Sequence, residues 1–460
     1  MTRAAAGSAH DIAIIGGGAA GVLVAIQLLR QARNPLRIAL IEPDPALARG
    51  VAYSTPYPEH VLNVPVQKMS AFDDRPDDFL DWLARDDEEE RARLAPAFVE
   101  RRIYGAYLSA RLEEAVAASH ATLEVVPQRV LAITRKDHSL QLALNDGHAL
   151  TCHAAVLAVG NRARPLPARG ATSLPPHTLL SAWDFAGVRA IPKDAHLCVV
   201  GSGLSMVDAV LSFVETGHRG RIQVVSRHGL RPQPHAPHAP AGFDPEVLQA
   251  MNLRERFRHL RMLFREAQDA GQPWQSVMER LRPHGQALWR SLSQADQRRF
   301  LRHVVRLWDV HRHRIAPEVD ARIQTLIDSG QLHFRRARLD AVMQAGRCVR
   351  VTAVAHDGRA LDFDVEHVIN ATGMELRVAA MRNPLLSDLI GEGHAQEGPH
   401  GIGVAVDMQG RLLDQHGHAQ DDLRVIGSLR IGSLWETIAI PDLRGQAESI
   451  ARELLASRVN

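Results

Sequence analysis

Apolar residues in this chain fall into short unbroken runs set between glycine-rich turns, with helical spacing elsewhere. The run over 12–15 is all apolar. Such a run, with no polar alternate, predicts a strand buried on both faces. Positions 20–29 have helical spacing, and 37–41 is apolar again. Together they predict a βαβ unit of about 30 residues. Helices are expected over 77–84 and 104–118. Positions 123–133 and 139–144 alternate as antiparallel strands do, with a hairpin at Asn145-Asp146-Gly147. A buried strand is expected over 154–159, ending in Gly160. Pro165, Pro167, Pro175 and Pro176 mark a linker. A second βαβ unit is predicted over 196–226, and a proline- and histidine-rich loop over 231–240. Residues 243–307 read as amphipathic, arginine-rich helices, in which Phe257, Leu260, Leu263 and Phe264 are core positions. Pro317 opens a further helix that stops near Gly330. Strands return over 332–364 and 368–373, and the tail over 423–455 reads as strand, turn and helix.

The glycine turns carry the chemistry. Gly16-Gly17-Gly18-Ala19-Ala20-Gly21 follows the first strand, and Glu42 closes the second, 21 residues beyond Gly21. Gly16 makes the bend, Gly18 admits a pyrophosphate, and Gly21 lets helix and strand pack closely. The helix N-terminus favours the anion, and the acid suits ribose hydroxyls. In the second turn, Gly201-Ser202-Gly203-Leu204-Ser205-Met206, the third glycine is replaced by Met206. Ser226-Arg227 closes the next strand in place of an acid, which suits a 2′-phosphate. The expectation is an FAD seat at the first turn and an NADPH dock at the second.

At 460 residues the chain is too long for one ordinary core. The fold class expected is α/β, with two Rossmann-like dinucleotide-binding domains and a helical insertion. A discontinuous FAD-binding domain is expected over 1–190 and 335–460. The NADPH-binding domain is expected over 191–334, with its insertion at 243–330. Net charge is only +2, so no nucleic-acid footprint is expected. Lys68, Lys136 and Lys193 are the only lysines, so arginine supplies most of the positive charge and any single arginine says little. The three cysteines, Cys152, Cys198 and Cys348, form no C-x-x-C pair, which suits a reducing cytoplasm. No apolar stretch is long enough for a membrane span and no signal peptide is expected. His311-x-His313 and His235-x-x-His238 lack further ligands, so no metal is expected.

The runs Ala155-Val156-Leu157-Ala158-Val159-Gly160 and Val368-Ile369-Asn370-Ala371-Thr372-Gly373 resemble the crossover strands of two-dinucleotide flavoproteins. Leu423 to Gly427 with Trp435-Glu436-Thr437 and Pro441 resembles their terminal flavin motif. Arg49-Gly50-Val51-Ala52-Tyr53-Ser54, Leu62-Asn63-Val64-Pro65, Ser226-Arg227-His228-Gly229-Leu230 and His311-Arg312-His313-Arg314 extend the likeness almost end to end. The chain resembles the bacterial FAD-NAD(P)-binding protein family, related to the flavin monooxygenases. The resemblance implies FAD and NADPH as cofactors. Its FAD contacts would be Gly16, Gly18, Ala19, Ala20, Gly21, Glu42, Val130, Gly160, Gly427 and Thr437. Its NADPH contacts would be Gly201, Gly203, Leu204, Ser205, Ser226 and Arg227. Asn63, His313 and Trp435 are the catalytic candidates.

Relatives of that family include amine and amino-acid N-hydroxylases, whose late motif places an acid before L/F-A-T-G-Y. Here Glu366 precedes Asn370-Ala371-Thr372-Gly373, and Met374 replaces the tyrosine. The expected activity is a monooxygenase that uses O₂ through a flavin C4a-hydroperoxide to oxygenate a small nucleophilic metabolite, an amine or amino acid. A reductase passing electrons to another acceptor and a non-catalytic redox sensor remain alternatives. Homo-oligomerisation is left open.

Overall fold

The computed structural model describes residues 9–457. The described strands begin with β1 (His10–Ile15), β2 (Arg37–Ile41), β3 (Thr122–Val126), β4 (Val130–Lys136), β5 (Ser139–Leu144) and β6 (Ala149–Leu157). They continue with β7 (Leu179–Ser181), β8 (Leu197–Val200), β9 (Ile222–Ser226), β10 (Leu332–Ala345), β11 (Cys348–Ala355), β12 (Ala360–Val365) and β13 (His367–Asn370). The last are β14 (Arg411–Leu413) and β15 (Ala419–Val425). The chain divides into two compact units. Of the described residues, unit 1 holds 9–55, 65–162 and 375–457, and unit 2 holds 56–64 and 163–374.

In unit 1 the sheet runs β14-β15-β6-β1-β2-β3, with β4 and β5 reached from β6. The pairs β1–β2, β1–β6, β2–β3 and β6–β15 are parallel. Because side chains alternate across a strand, β1 gives its two faces to two layers. Ala13 and Ile15 join Ala39, Ile41, Ala155, Leu157, Leu423 and Val425 in one core, which also takes Leu385, Leu386 and Leu389. Ile12 and Ile14 point the other way and are fully buried. The helix Ala19–Gln31 packs against the helices Arg101–Ala118 and Ile440–Ala456. Burial on both faces explains why these strands read as unbroken apolar runs.

One segment differs from the sequence expectation. Positions 123–133 are not one strand. Residues 127–129 interrupt them, so β3 pairs parallel to β2 while β4 pairs antiparallel to β5. A proline at 127 has no N–H for a ladder, which ends the first piece. The turn at Asn145-Asp146-Gly147 joins β5 to β6, and Gly147 takes a φ of +86° there.

In unit 2 the sheet order is β12-β11-β10-β9-β8-β13-β7. Strands β7, β13, β8, β9 and the first half of β10 are parallel. The second half of β10 turns into an antiparallel meander with β11 and β12, after a register shift between Leu339 and Ala341. Between β9 and β10 lie helices including Leu253–Asp269, Gln275–Leu281, Val305–Arg312 and Pro317–Asp328. The helix Leu253–Asp269 opens on a capping box between Asn252 and Glu255. Leu260 and Leu263 bury into a separate cluster with Val277, Met278, Leu281 and Leu288, and Phe264 packs against it. No described helix is long and apolar enough to cross a membrane.

Candidate functional site

The two glycine turns have the same construction. Gly16 takes a φ of +113°, its N–H donates to the Ile41 carbonyl at 2.9 Å, and the Ala158 N–H donates to Ile15 at 2.9 Å. Gly201 takes a φ of +107°, its N–H donates to Val225 at 2.9 Å, and the Ala371 N–H donates to Val200 at 2.9 Å. A Cβ on Gly16 would run into the Ala158 carbonyl, and one on Gly201 into the Ala371 carbonyl. Each turn is thus pressed between the strand that precedes it and a strand end that arrives much later in the chain. In both, the backbone approach leaves no room for a side chain.

Gly18 and Gly203 cap the helices Ala19–Gln31 and Leu204–Glu215 without a side-chain hydrogen bond. The first N–H groups of such a helix have no intrahelical acceptor and favour an anion. A Cβ on Gly18 would meet only Gly50 Cα, at 3.8 Å, so that face of the turn is open. Gly21 packs so close that a Cβ would strike the Gly16 carbonyl. In the second turn Met206 takes that place and is fully buried. Its N–H and that of Val207 both donate to Gly203, at 3.1 and 3.3 Å, which tightens the first turn of that helix.

In unit 1 Glu42 lies at the end of β2. Its Oε2 accepts from the Gly17 N–H at 2.7 Å, and its Oε1 from the Asp44 N–H at 3.1 Å. Two backbone amides thus fix the carboxylate in place against the turn. The later flavin candidates come to the same turn. Gly427, with a φ of +78°, lies against Ala20, since a Cβ there would be 3.7 Å from the Ala20 Cβ. Ser428 Oγ donates to Gly160 O at 3.2 Å. Thr437 Oγ1 donates to Gly427 O at 3.3 Å, and Gln446 clamps both by donating to Thr437 Oγ1 and accepting from the Gly427 N–H. Val130 is buried in the core of unit 1, where its side chain packs with the strands of the sheet. Gln446 carried no motif in the sequence; its role follows only from the helix Ile440–Ala456 standing over Gly427.

Trp435 has an unusual backbone. Its φ and ψ are +63° and −65°, and the Glu436 N–H donates across it to Leu434 O at 2.8 Å. This is a γ-turn of the rare, strained kind. Strain of this sort costs about 1–3 kcal/mol and gathers at functional sites. Glu436 and Thr437 after it are buried.

In unit 2 the Ser226 Oγ accepts from the Gly229 N–H at 3.2 Å, shaping the turn that carries Arg227. Arg227 is exposed. His228 is held below its ordinary value by burial, then by the guanidinium groups of Arg227, Arg306 and Arg336. Arg306 and Arg336 lie in arginine-rich stretches, and nothing in the sequence sets them apart.

Asn63 and the 311–314 stretch meet around His235 in unit 2. His235 Nε2 bonds the Asn63 carbonyl at 3.0 Å, and its N–H donates to Ile315 O at 3.0 Å. Burial, then the charge of Arg314, pushes His235 down to about 4. His235 is therefore neutral near pH 7 and donates from Nε2. Arg314 is buried and ion-paired with Glu279. His313 ends the helix Val305–Arg312, its N–H donating to Asp309 O at 2.8 Å. Trp435 belongs to unit 1. Among the described residues no group of three or more His, Cys, Asp or Glu is placed to hold a metal ion.

Residues 13–162, about a third of the chain, match the model of the FAD-NAD(P)-binding family, as the resemblance in the motifs implied. The fold is that of two-dinucleotide flavoproteins. An ornithine N-hydroxylase of Kutzneria sp. 744, solved with reduced FAD, NADP⁺ and L-ornithine, superposes with a TM-score of 0.69 at 14% identity, covering 98% of this chain and 100% of that one. L-lysine 6-monooxygenase from Pseudomonas syringae gives 0.68 at 19% identity, with 97% and 99% covered. Thioredoxin reductase of T. acidophilum gives 0.56 at 11%, with 98% and 100% covered. No curated protein matches the chain by sequence.

Proposed function

We propose that the chain is an FAD-containing, NADPH-dependent monooxygenase that oxygenates the nitrogen of a small amine or amino acid. The observation that carries the reading is the duplicated glycine turn, closed by an acid in unit 1 and by Ser226-Arg227 in unit 2. Unit 1 is the FAD-binding half and unit 2 the NADPH-binding half. The whole-chain likeness to ornithine and lysine hydroxylases supports the choice of reaction.

When bound, the two cofactors supply hydride transfer from nicotinamide to flavin and reaction of the reduced flavin with O₂. The chain supplies position. Gly16 makes the bend beside the FAD pyrophosphate, Gly18, Ala19, Ala20 and Gly21 would receive it at the helix N-terminus, and Glu42 would take the ribose hydroxyls. Gly160, Gly427 and Thr437 line the flavin end, and the strained turn at Trp435 fixes that wall. Gly201, Gly203, Leu204 and Ser205 receive the NADPH pyrophosphate, and Ser226 and Arg227 its 2′-phosphate. Asn63 and His313 are the candidates for orienting substrate.

The test is to follow NADPH oxidation and O₂ uptake with a panel of diamines and basic amino acids, under ¹⁸O₂. The reading expects one panel member to stimulate both rates and to gain one labelled oxygen. Stimulation by no amine, with all O₂ returned as hydrogen peroxide, would sink it. A second reading, a reductase, has in its favour the likeness to thioredoxin reductase. Cys152 and Cys198 oppose a dithiol version, because both thiols are buried and pushed up to about 12.

A further inference from the structure

The helical insertion of unit 2 sends one arginine back to the second glycine turn. Arg306 stands in the first turn of the helix Val305–Arg312. Its Nη1 donates to Asp309 Oδ2 at 3.0 Å, an i,i+3 pair that fixes the guanidinium. Its Nη2 faces Gly203, at 3.8 Å from where a Cβ would stand. Gly203 is the residue that caps the helix Leu204–Glu215 without a side chain of its own.

Two further guanidinium groups belong to the same neighbourhood. Arg336 of β10 is in register with Ser226 of β9, so their side chains stand next to each other on one face of the sheet. The stem of Arg336 lies against Gly229, with its Cβ 3.1 Å from a Cβ placed there. Arg227 follows Ser226. Neither Arg227 nor Arg336 has a carboxylate partner among the described residues, whereas other arginines do, such as Arg350 with Asp364 and Arg411 with Asp407. His228 lies within reach of all three of these cations, Arg227, Arg306 and Arg336. Guanidinium groups gathered in this way repel one another, and a polyanion lying among them relieves that repulsion.

We infer that Arg306 is a nucleotide ligand supplied by the insertion, binding the pyrophosphate at Gly203, while Arg336 joins Arg227 on the 2′-phosphate. This deepens the NADPH reading and rests on it. Asp309 is the positioning residue that aims Arg306. The two arginines therefore have different signatures. A pyrophosphate ligand serves NADP⁺ and NAD⁺ alike, and a 2′-phosphate ligand serves only NADP⁺.

The experiment is calorimetric titration of the FAD-loaded protein with NADP⁺, NAD⁺ and adenosine 2′,5′-bisphosphate. For Arg306→Ala we expect both dinucleotides to weaken by about tenfold or more, as for loss of a charge-assisted phosphate contact. For Arg336→Ala we expect a loss of about that size for NADP⁺ and the bisphosphate, and none for NAD⁺. Asp309→Ala should weaken both dinucleotides by less than Arg306→Ala does. Equal binding of both dinucleotides by Arg306→Ala and wild type would overturn the inference and leave the NADPH reading standing. Wild-type protein that binds neither dinucleotide would overturn that reading itself. Arg306 and Arg336 are not buried, and an unchanged thermal midpoint confirms that each variant is folded.

Discussion

The Gly17 N–H donates to the Glu42 carboxylate over 2.7 Å, so the middle of the first glycine turn is tied to the end of β2. The acid holds the turn, and in the proposed reading it also takes the ribose hydroxyls. Glu42→Ala removes both and leaves the Gly17 N–H unpaired. Loss of a hydrogen bond to a charged group costs roughly 1.5–3 kcal/mol. The ratio of bound flavin to protein after purification is expected to fall well below that of wild type, with the protein still folded by circular dichroism.

Gly16 and Gly18 are two residues apart and make opposite predictions. Gly16 has a left-handed φ and no room for a Cβ, so Gly16→Ala is expected to cost about 3 kcal/mol or more of stability. Gly18 has a φ of −69° and an open face. Gly18→Ala is expected to change stability by less than about 1 kcal/mol and yet to lower flavin content, because the methyl group occupies the path of the phosphate. Thermal melts of the flavin-free variants, beside their flavin stoichiometry, separate the two effects.

Arg227 is expected to discriminate between the nicotinamide cofactors. Arg227→Ala should raise the KM for NADPH by about tenfold or more and leave that for NADH within about twofold. Parallel losses for both would remove Arg227 from the 2′-phosphate.

His235 makes unit 2 sensitive to acid. Burial, and then Arg314, holds it near 4, whereas a histidine in the unfolded chain titrates near 6.5. Between those values the unfolded chain binds a proton that the folded chain refuses. Stability is therefore full above pH ~6.5 and falls as the pH drops toward 4, by on the order of 2–3 kcal/mol. His235→Gln keeps a donor for the Asn63 carbonyl without the titration. Urea denaturation at pH 7 and at pH 4.5 should show a smaller difference for the variant than for wild type.

Both βαβ units were legible because each packs its signal into one continuous stretch: strand, glycine turn, helix, strand. The positions of Glu42 and Arg227 at strand ends were legible for the same reason, at fixed offsets from their turns. The break between β3 and β4 was harder to see, since both pieces carry the same apolar alternation and only residues 127–129 separate them. Gln446, Arg306 and Arg336 carried no local signal at all. Each acquires its place only when a distant element packs on a turn, and an arginine among so many has no mark of its own. The strain at Trp435 was equally silent, because it resides in φ and ψ rather than in residue type.

The late-arriving strands have a consequence for biosynthesis. The second turn is completed by Ala371, so unit 2 closes once the chain has grown past β13. Unit 1 places β15 beside β6 and lays the helix Ile440–Ala456 on the helix Ala19–Gln31, so its oldest segment waits for its youngest. Until then β6 keeps an apolar edge unpaired along Ala155 to Leu157. On the ribosome, the half whose signature emerges first is the half that finishes last, and that interval is where nascent chains are most exposed to aggregation.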